Sequence, residues 1–189
     1  MRRFILTAMA VVLAVSAALA EEMVENPQYK SWAKFKPDTV VKMQANSVTK
    51  AQGMEIASRM SMTTTLKSLT ADKAVLQIVT EMEVNGRKMT MPAQTQEAPA
   101  KVAKGSSTTQ PAGVTVTKVA EGDEEITVAG KTYKCHWVQN KMSSARMEAT
   151  SKVWNCDKIP GGMAKMVTNT TKPMTATTTM EVLEIKPAS

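Results

Sequence analysis

Apolar side chains recur at every second position between residues 74 and 84: Ala74, Leu76, Ile78, Met82 and Val84, with Thr80 the polar exception. Val75, Gln77, Val79, Glu81 and Glu83 fill the alternate positions. A period of two predicts a strand with one buried face. Asn85-Gly86 follows, a pair preferred in two-residue hairpin turns because both positions need positive φ. Folding about that turn sets Met82 opposite Met89 and Thr80 opposite Met91, all on one face. Upstream, Met60, Met62, Thr64 and Leu66 alternate in the same way, Thr70-Ala71-Asp72-Lys73 can turn that strand into the next, and 39–44 reads as a first strand. Residues 125–135 echo 81–91, with Ile126, Val128, Tyr133 and Cys135 in the places of Met82, Val84, Met89 and Met91. That echo is common hairpin physics and no sign of duplication. Further strands are expected at 114–119, 125–128, 132–139, 148–156, 163–168 and 175–185, the last rich in β-branched residues.

Helical signals are confined to the start of this region. Asn26 can cap a short helix with Pro27 in its first position, and Pro37 bounds it. Tyr29, Trp32 and Phe35 then share one face, which would plug the open side of a sheet or touch a ligand or membrane. Residues 96–111 contain no aromatic, Leu, Ile or Met and read as a flexible loop. The fold class expected is mainly β: a curved antiparallel sheet or open half-barrel of about nine or ten strands with a short N-terminal helix.

Ahead of all this stand Met1-Arg2-Arg3, an apolar run from Phe4 to Val15 broken by Thr7, and Ala18-Leu19-Ala20 before Glu21-Glu22. That is the layout of a secretory signal peptide over 1–20, leaving 21–189 as one β-rich domain, periplasmic or secreted. A retained anchor is the alternative, since residues 4–20 reach the short limit of a membrane span. After cleavage no stable span is expected. No cysteine lies near the site, so a lipidated bacterial form is excluded.

Charge changes the picture little. Losing Arg2 and Arg3 lowers the formal net charge from +7 to +5, and the lysines are scattered singly. A nucleic-acid surface needs a concentrated basic stripe, so no nucleic-acid partner is expected. Hydrophobic residues make up 43% of the chain, enough to build a core and to exclude wholesale disorder.

One histidine, His136, and two cysteines, Cys135 and Cys156, exclude a His-rich metal centre and a multi-disulfide scaffold. The two cysteines lie in consecutive expected strands and come nearly opposite if 142–148 is the connecting loop. In an oxidising compartment they would form a disulfide; otherwise they are two buried thiols on different faces. Cys135 and His136 are adjacent, so as strand residues they point to opposite faces and do not make a nucleophile–base pair. Glu121, Asp123, Glu124 and Glu125 cluster on either side of an expected turn, without the spacing of a calcium loop. No Gly-rich phosphate loop and no G-x-S-x-G is present, so no enzyme activity and no cofactor are expected.

Methionine is the compositional oddity: 16 in all, two of them within residues 1–20. Met60-Ser61-Met62 and Met89-Thr90-Met91 each place two thioethers on one strand face. Such sulfurs suit Cu(I), and they equally suit an adaptable apolar cavity. Met60, Met62, Met82, Met89, Met91 and Trp137 are the candidate ligand-binding residues, with no metal ligand assigned.

The run Lys152-Val153-Trp154-Asn155-Cys156-Asp157-Lys158-Ile159-Pro160-Gly161-Gly162-Met163-Ala164-Lys165 is a strand, a Pro-Gly turn and a second strand. With Val128-Ala129-Gly130-Lys131-Thr132-Tyr133-Lys134-Cys135 before it, the segment 113–185 resembles a β-rich family of exported bacterial proteins of planctomycete type. It is also loosely similar to the lipoprotein-carrier-like half-barrel superfamily. The resemblance implies an open β-barrel with an apolar concavity and, in the better-known relatives, lipid handling. No lipid-contact residue is carried over, because no contact motif matches. The expectation is an exported non-catalytic binding or carrier module whose partner is an apolar small molecule or a peptide or protein. The alternatives are a periplasmic copper-handling protein using Met, and a structural or interaction domain.

Overall fold

In the computed structural model, which describes residues 22–51, 53–84, 86–105 and 113–188, the alternating segments pair into antiparallel β-structure. The elements in chain order are β1 (Met23–Glu25), α1 (Pro27–Trp32), β2 (Val40–Ala51), β3 (Met54–Leu69), β4 (Lys73–Val84), β5 (Arg87–Thr90), β6 (Gln94–Pro99), β7 (Lys101–Ala103), β8 (Thr115–Val128), β9 (Lys131–Ser143), β10 (Glu148–Asn155), β11 (Met163–Lys172) and β12 (Thr175–Lys186). A ten-stranded sheet runs β5-β4-β3-β2-β12-β11-β10-β9-β8, with β6 pairing β4 beside β5. Its outer edges, β8 and the β5–β6 side, do not pair with one another, so the sheet stays open. β1 and β7 form a separate antiparallel pair. The mainly β, antiparallel, open architecture with one short helix is the one the alternation predicts.

Most neighbours in the sheet are hairpin partners. The exceptions are β6 against β4 and β12 against β2, the latter bringing the last strand beside the first long one. Register shifts at Leu66/Ser68, Lys118/Ala120, Trp154/Asn155 and Val182/Glu184 bend the strands and raise their local twist. The hairpin register is the expected one: Met82 pairs Met89, and the Met91 amide donates to the Thr80 carbonyl at 2.8 Å. Gly86 has φ +78°, while Asn85 lies outside the described residues, as does the expected signal peptide at 1–20. The Thr70–Lys73 turn also forms, closed by the Thr70 amide on the Lys73 carbonyl at 2.9 Å.

Helix α1 is pinned on both sides. The Asn26 side chain accepts from the Gln28 amide at 3.0 Å, as its capping role requires, and donates to the Pro99 carbonyl at 2.8 Å. Tyr29 donates its hydroxyl to the Thr70 carbonyl at 2.8 Å. On the other flank the Gly161 amide donates to the Ser31 carbonyl, and Ile159 is fully buried in the turn after β10. Trp32 sinks into the core with Leu66, Leu76, Val41 and Val182. The helix therefore plugs one end of the sheet, the plainer of its two expected roles.

Three expectations need correction. Segments 114–119 and 125–128 are one strand, β8, because a bulge at Lys118/Ala120 carries the pairing through the acidic stretch. Glu121, Asp123, Glu124 and Glu125 therefore sit along that strand instead of flanking a turn. The segment 96–111 begins as structure: β6 pairs β4 and buries Ala98, and β7 pairs β1. Composition misread it because an edge strand needs backbone partners more than apolar side chains. Its remainder at 106–111 lies outside the described residues.

A methionine face as candidate functional site

Register turns scattered methionines into rows. One row crosses six strands on the face beneath α1: Met166 of β11, Met180 of β12, Ala45 of β2, Met60 of β3, Met82 of β4 and Met89 of β5. At the usual strand spacing it runs about 24 Å. The next row toward the helix holds Val182, Met43, Met62 and Thr80, with Met91 beyond Thr80. Met43 is buried, Met60, Met62, Met82, Met166 and Met180 are half-buried, and Met89 and Met91 are 59% and 43% exposed at the sheet edge. The opposite face of β2–β5 is polar: Lys42, Gln44, Arg59, Ser61, Glu81 and Lys88.

Toward the helix the two rows run into a depression of about 250 Å³ whose apolar walls are Trp32, Val41, Met43, Met62, Leu76 and Ile78. Leu66 and Leu76 pair across β3 and β4 at this end, and both are buried. Away from the helix the face turns polar. Ser151, Thr168, Thr178, Ser47 and Ser58 form a row of hydroxyls. Thr178 donates to Ser47 at 2.9 Å and Thr168 to Ser151 at 3.2 Å. Along the strands the surface therefore grades from a closed apolar end, through methionine, to a hydroxyl row. Unbranched thioether side chains with three rotatable bonds let such a surface repack around an irregular apolar body.

Of the candidate residues, Met60, Met62, Met82, Met89 and Met91 share this face. Trp137 does not. Its neighbour Val138 pairs Val153, which pairs Met166, so Trp137 projects from the other side. There Lys152 Nζ lies 4.1 Å from the Trp137 ring and 4.5 Å from the Trp154 ring. Glu124 accepts from Trp154 Nε1 at 2.9 Å and from Lys152 Nζ at 3.0 Å. The Trp154 hydrogen bond, then the Lys152 ammonium, hold the Glu124 carboxyl below its ordinary range. Gly122 lies beneath Trp137, where a Cβ would stand 3.1 Å from the indole and force the ring to shift. This cluster fastens β8, β9 and β10 together.

Met43, Met166 and Met180 complete the face and escaped the sequence reading. Each alternates correctly within its own strand; Met43 sits beside Met62 through the β2–β3 pairing, whereas Met166 and Met180 join only because β2 pairs β12. Cys135 and Cys156 form a disulfide, their Cα atoms 4.5 Å apart one step beyond the His136–Asn155 pair. The bond also removes Cys135 as a nucleophile. His136 Nδ1 is 3.1 Å from Asp123 Oδ1 and its Nε2 3.5 Å from Glu121 Oε2. Among the described residues no group of three or more His, Cys, Asp or Glu is placed to hold a metal ion, and no helix is long and apolar enough to cross a membrane.

No family model and no curated protein matches the chain. Solved structures similar to it include a candidate exported protein with a YmcC-like fold from Bacteroides fragilis, 9% identical, with a TM-score of 0.44, covering 80% of this chain and 97% of that one. A LolA superfamily protein from Nitrosomonas europaea is 8% identical, with a TM-score of 0.23, covering 88% of this chain and 94% of that one. At these values neither neighbour's residues nor its activity carry over. The planctomycete part of the sequence resemblance has no support in the comparisons.

Proposed function

We propose that the chain is an exported, non-catalytic binding or carrier module that holds an apolar ligand, an acyl chain or a similarly apolar peptide segment, against its methionine face. The observation that carries this reading is the pair of methionine rows running into the depression walled by Trp32, Val41, Leu76 and Ile78. A half-buried apolar face on an open sheet gains by covering its surface, at about 25 cal/mol per Å² removed from water. The Cys135–Cys156 bond fits an oxidising compartment outside the cytoplasm.

One arrangement favours a second reading. Met60, Met82 and Met89 are consecutive members of one row on adjacent strands, close enough for soft sulfurs to share a Cu(I) ion. Titration with a fluorescent fatty acid, beside a Cu(I) competition titration, separates the two. The acyl reading expects saturable binding of the fatty acid and no tight copper binding. Tight copper binding without fatty-acid binding gives the face to the metal, and binding of neither leaves a structural or interaction role.

A further inference from the structure

The methionine face has a charged end. Arg87 opens β5 and pairs Val84, which pairs Ser58, so it belongs to the hydroxyl row on the same side of the sheet as Met82 and Met89. Among the described residues no carboxylate pairs with it, as none pairs with Lys88 beside it, whereas Lys50, Lys73 and Lys118 each have one. Its neighbour Lys88 lies on the polar face with Glu83. In the same row Ser47 accepts from Thr178, which leaves its own hydroxyl hydrogen to donate. Donors and a cation thus stand at one end of an apolar track whose other end is the depression walled by Trp32 and the buried Leu76.

Length agrees with this polarity. From Val84 in the hydroxyl row to Ile78, which walls the depression, the track follows six residues of β4, about 20 Å. One acyl chain occupies half the bilayer's hydrocarbon thickness, about 15 Å. A tail laid along β4 with its end against Ile78 therefore passes Met82 and leaves its polar head within about 5 Å of the hydroxyl row and Arg87.

We infer that the ligand is an anionic amphiphile, its tail on the methionine rows and its carboxylate or phosphate head at Arg87 and the Ser47–Ser58 hydroxyls. This rests on the acyl-chain reading above and adds the sign of the head group. A guanidinium offers paired N–H donors in the geometry that a carboxylate or phosphate accepts, and charge assistance strengthens those bonds.

The test is displacement of a neutral environment-sensitive dye, Nile red, at pH 8 by oleate, oleoyl lysophosphatidate and oleyl alcohol. These probes share a tail and differ at the head. On the wild-type chain we expect either anion to compete about tenfold better than the alcohol, the scale of one charge-assisted hydrogen bond. Arg87→Gln should level the three, while Lys88→Gln, on the opposite face, should leave the preference intact. The larger of the two anion effects identifies a free fatty acid or a phospholipid head. Equal competition by all three on the wild type, survival of the preference in Arg87→Gln, or its loss in Lys88→Gln as well would overturn the head-group assignment and leave the acyl reading standing. Failure of all three to displace the dye would overturn both.

Discussion

Replacing Trp32 with alanine should loosen the whole closed end of the sheet. Trp32 is 4% exposed, lies over Gly161 with ring carbons 3.4–3.6 Å from where a Cβ would sit, and forms one wall of the depression. A buried indole removes about 200 Å² from water, which at about 25 cal/mol per Å² is roughly 5 kcal/mol. Alanine retains about a third of that contact, and the depression beside the ring already leaves part of it unpacked, so the net loss should be about 3 kcal/mol. Helix α1 is only six residues long and has no stability of its own to offset this. For a chain of this size the melting temperature should fall by about 6–12 °C. Urea unfolding followed by far-UV circular dichroism measures the change, with Lys34→Ala, whose ion pair to Asp157 is exposed, as control. A loss below about 1 kcal/mol would refute the claim that this side chain anchors the plug.

Replacing Cys135 and Cys156 together with alanine opens a loop spanning 21 residues and should cost about 3 kcal/mol, whereas the unreduced native chain, denatured, should resist thiol alkylation. Full alkylation without reductant would contradict that. Acid should destabilise the fold in a definite window. The carboxyls of Glu121, Glu124 and Glu148 are held below their ordinary range by Lys118, by Trp154 with Lys152, and by Lys141 with Lys172. Groups whose folded pKa is depressed contribute stability that is present above the ordinary carboxylate pKa of about 4.3 and is lost as pH falls through the folded values. The urea midpoint should therefore hold between pH 7 and 5, decline below about pH 4, and decline less in Glu124→Gln; a midpoint that rises on acidification would show the sign to be wrong.

What the sequence made legible was local. Alternation in 74–84, the Asn-Gly pair and the Thr70–Lys73 turn specify β3, β4 and β5 with their register, because a one-residue slip would turn Leu76 and Ile78 to water. The helix cap at Asn26 and the facing of Cys135 and Cys156 follow from equally short spans. The methionine face was half legible: Met60, Met62, Met82, Met89 and Met91 come from neighbouring hairpins, Met43 lies in the expected first strand but without a register to set it beside Met62, and Met166 and Met180 join through the β2–β12 pairing, which no local pattern encodes. Trp137 misled because aromatic character says nothing of which face a strand presents; its side was fixed by β10, where Trp154 and Lys152 enclose it in a cation–aromatic stack. The bulge at Lys118/Ala120 hid β8 in the same way, by shifting the alternation midway through the strand.

Binding of an apolar chain to the methionine face is tested most directly by fatty-acid titration of two variants beside the wild type. Leucine matches methionine in volume and apolarity but has no sulfur lone pair, so Met60, Met62, Met89 and Met91→Leu should fold, at below about 1.5 kcal/mol per site, and keep its affinity. Met62→Lys sets a charge between the depression and the row beyond, and should weaken binding by at least about tenfold while circular dichroism stays native. Retained binding in the leucine variant together with its loss in the lysine variant is the result this account predicts. Binding unchanged by Met62→Lys in a folded protein would contradict it.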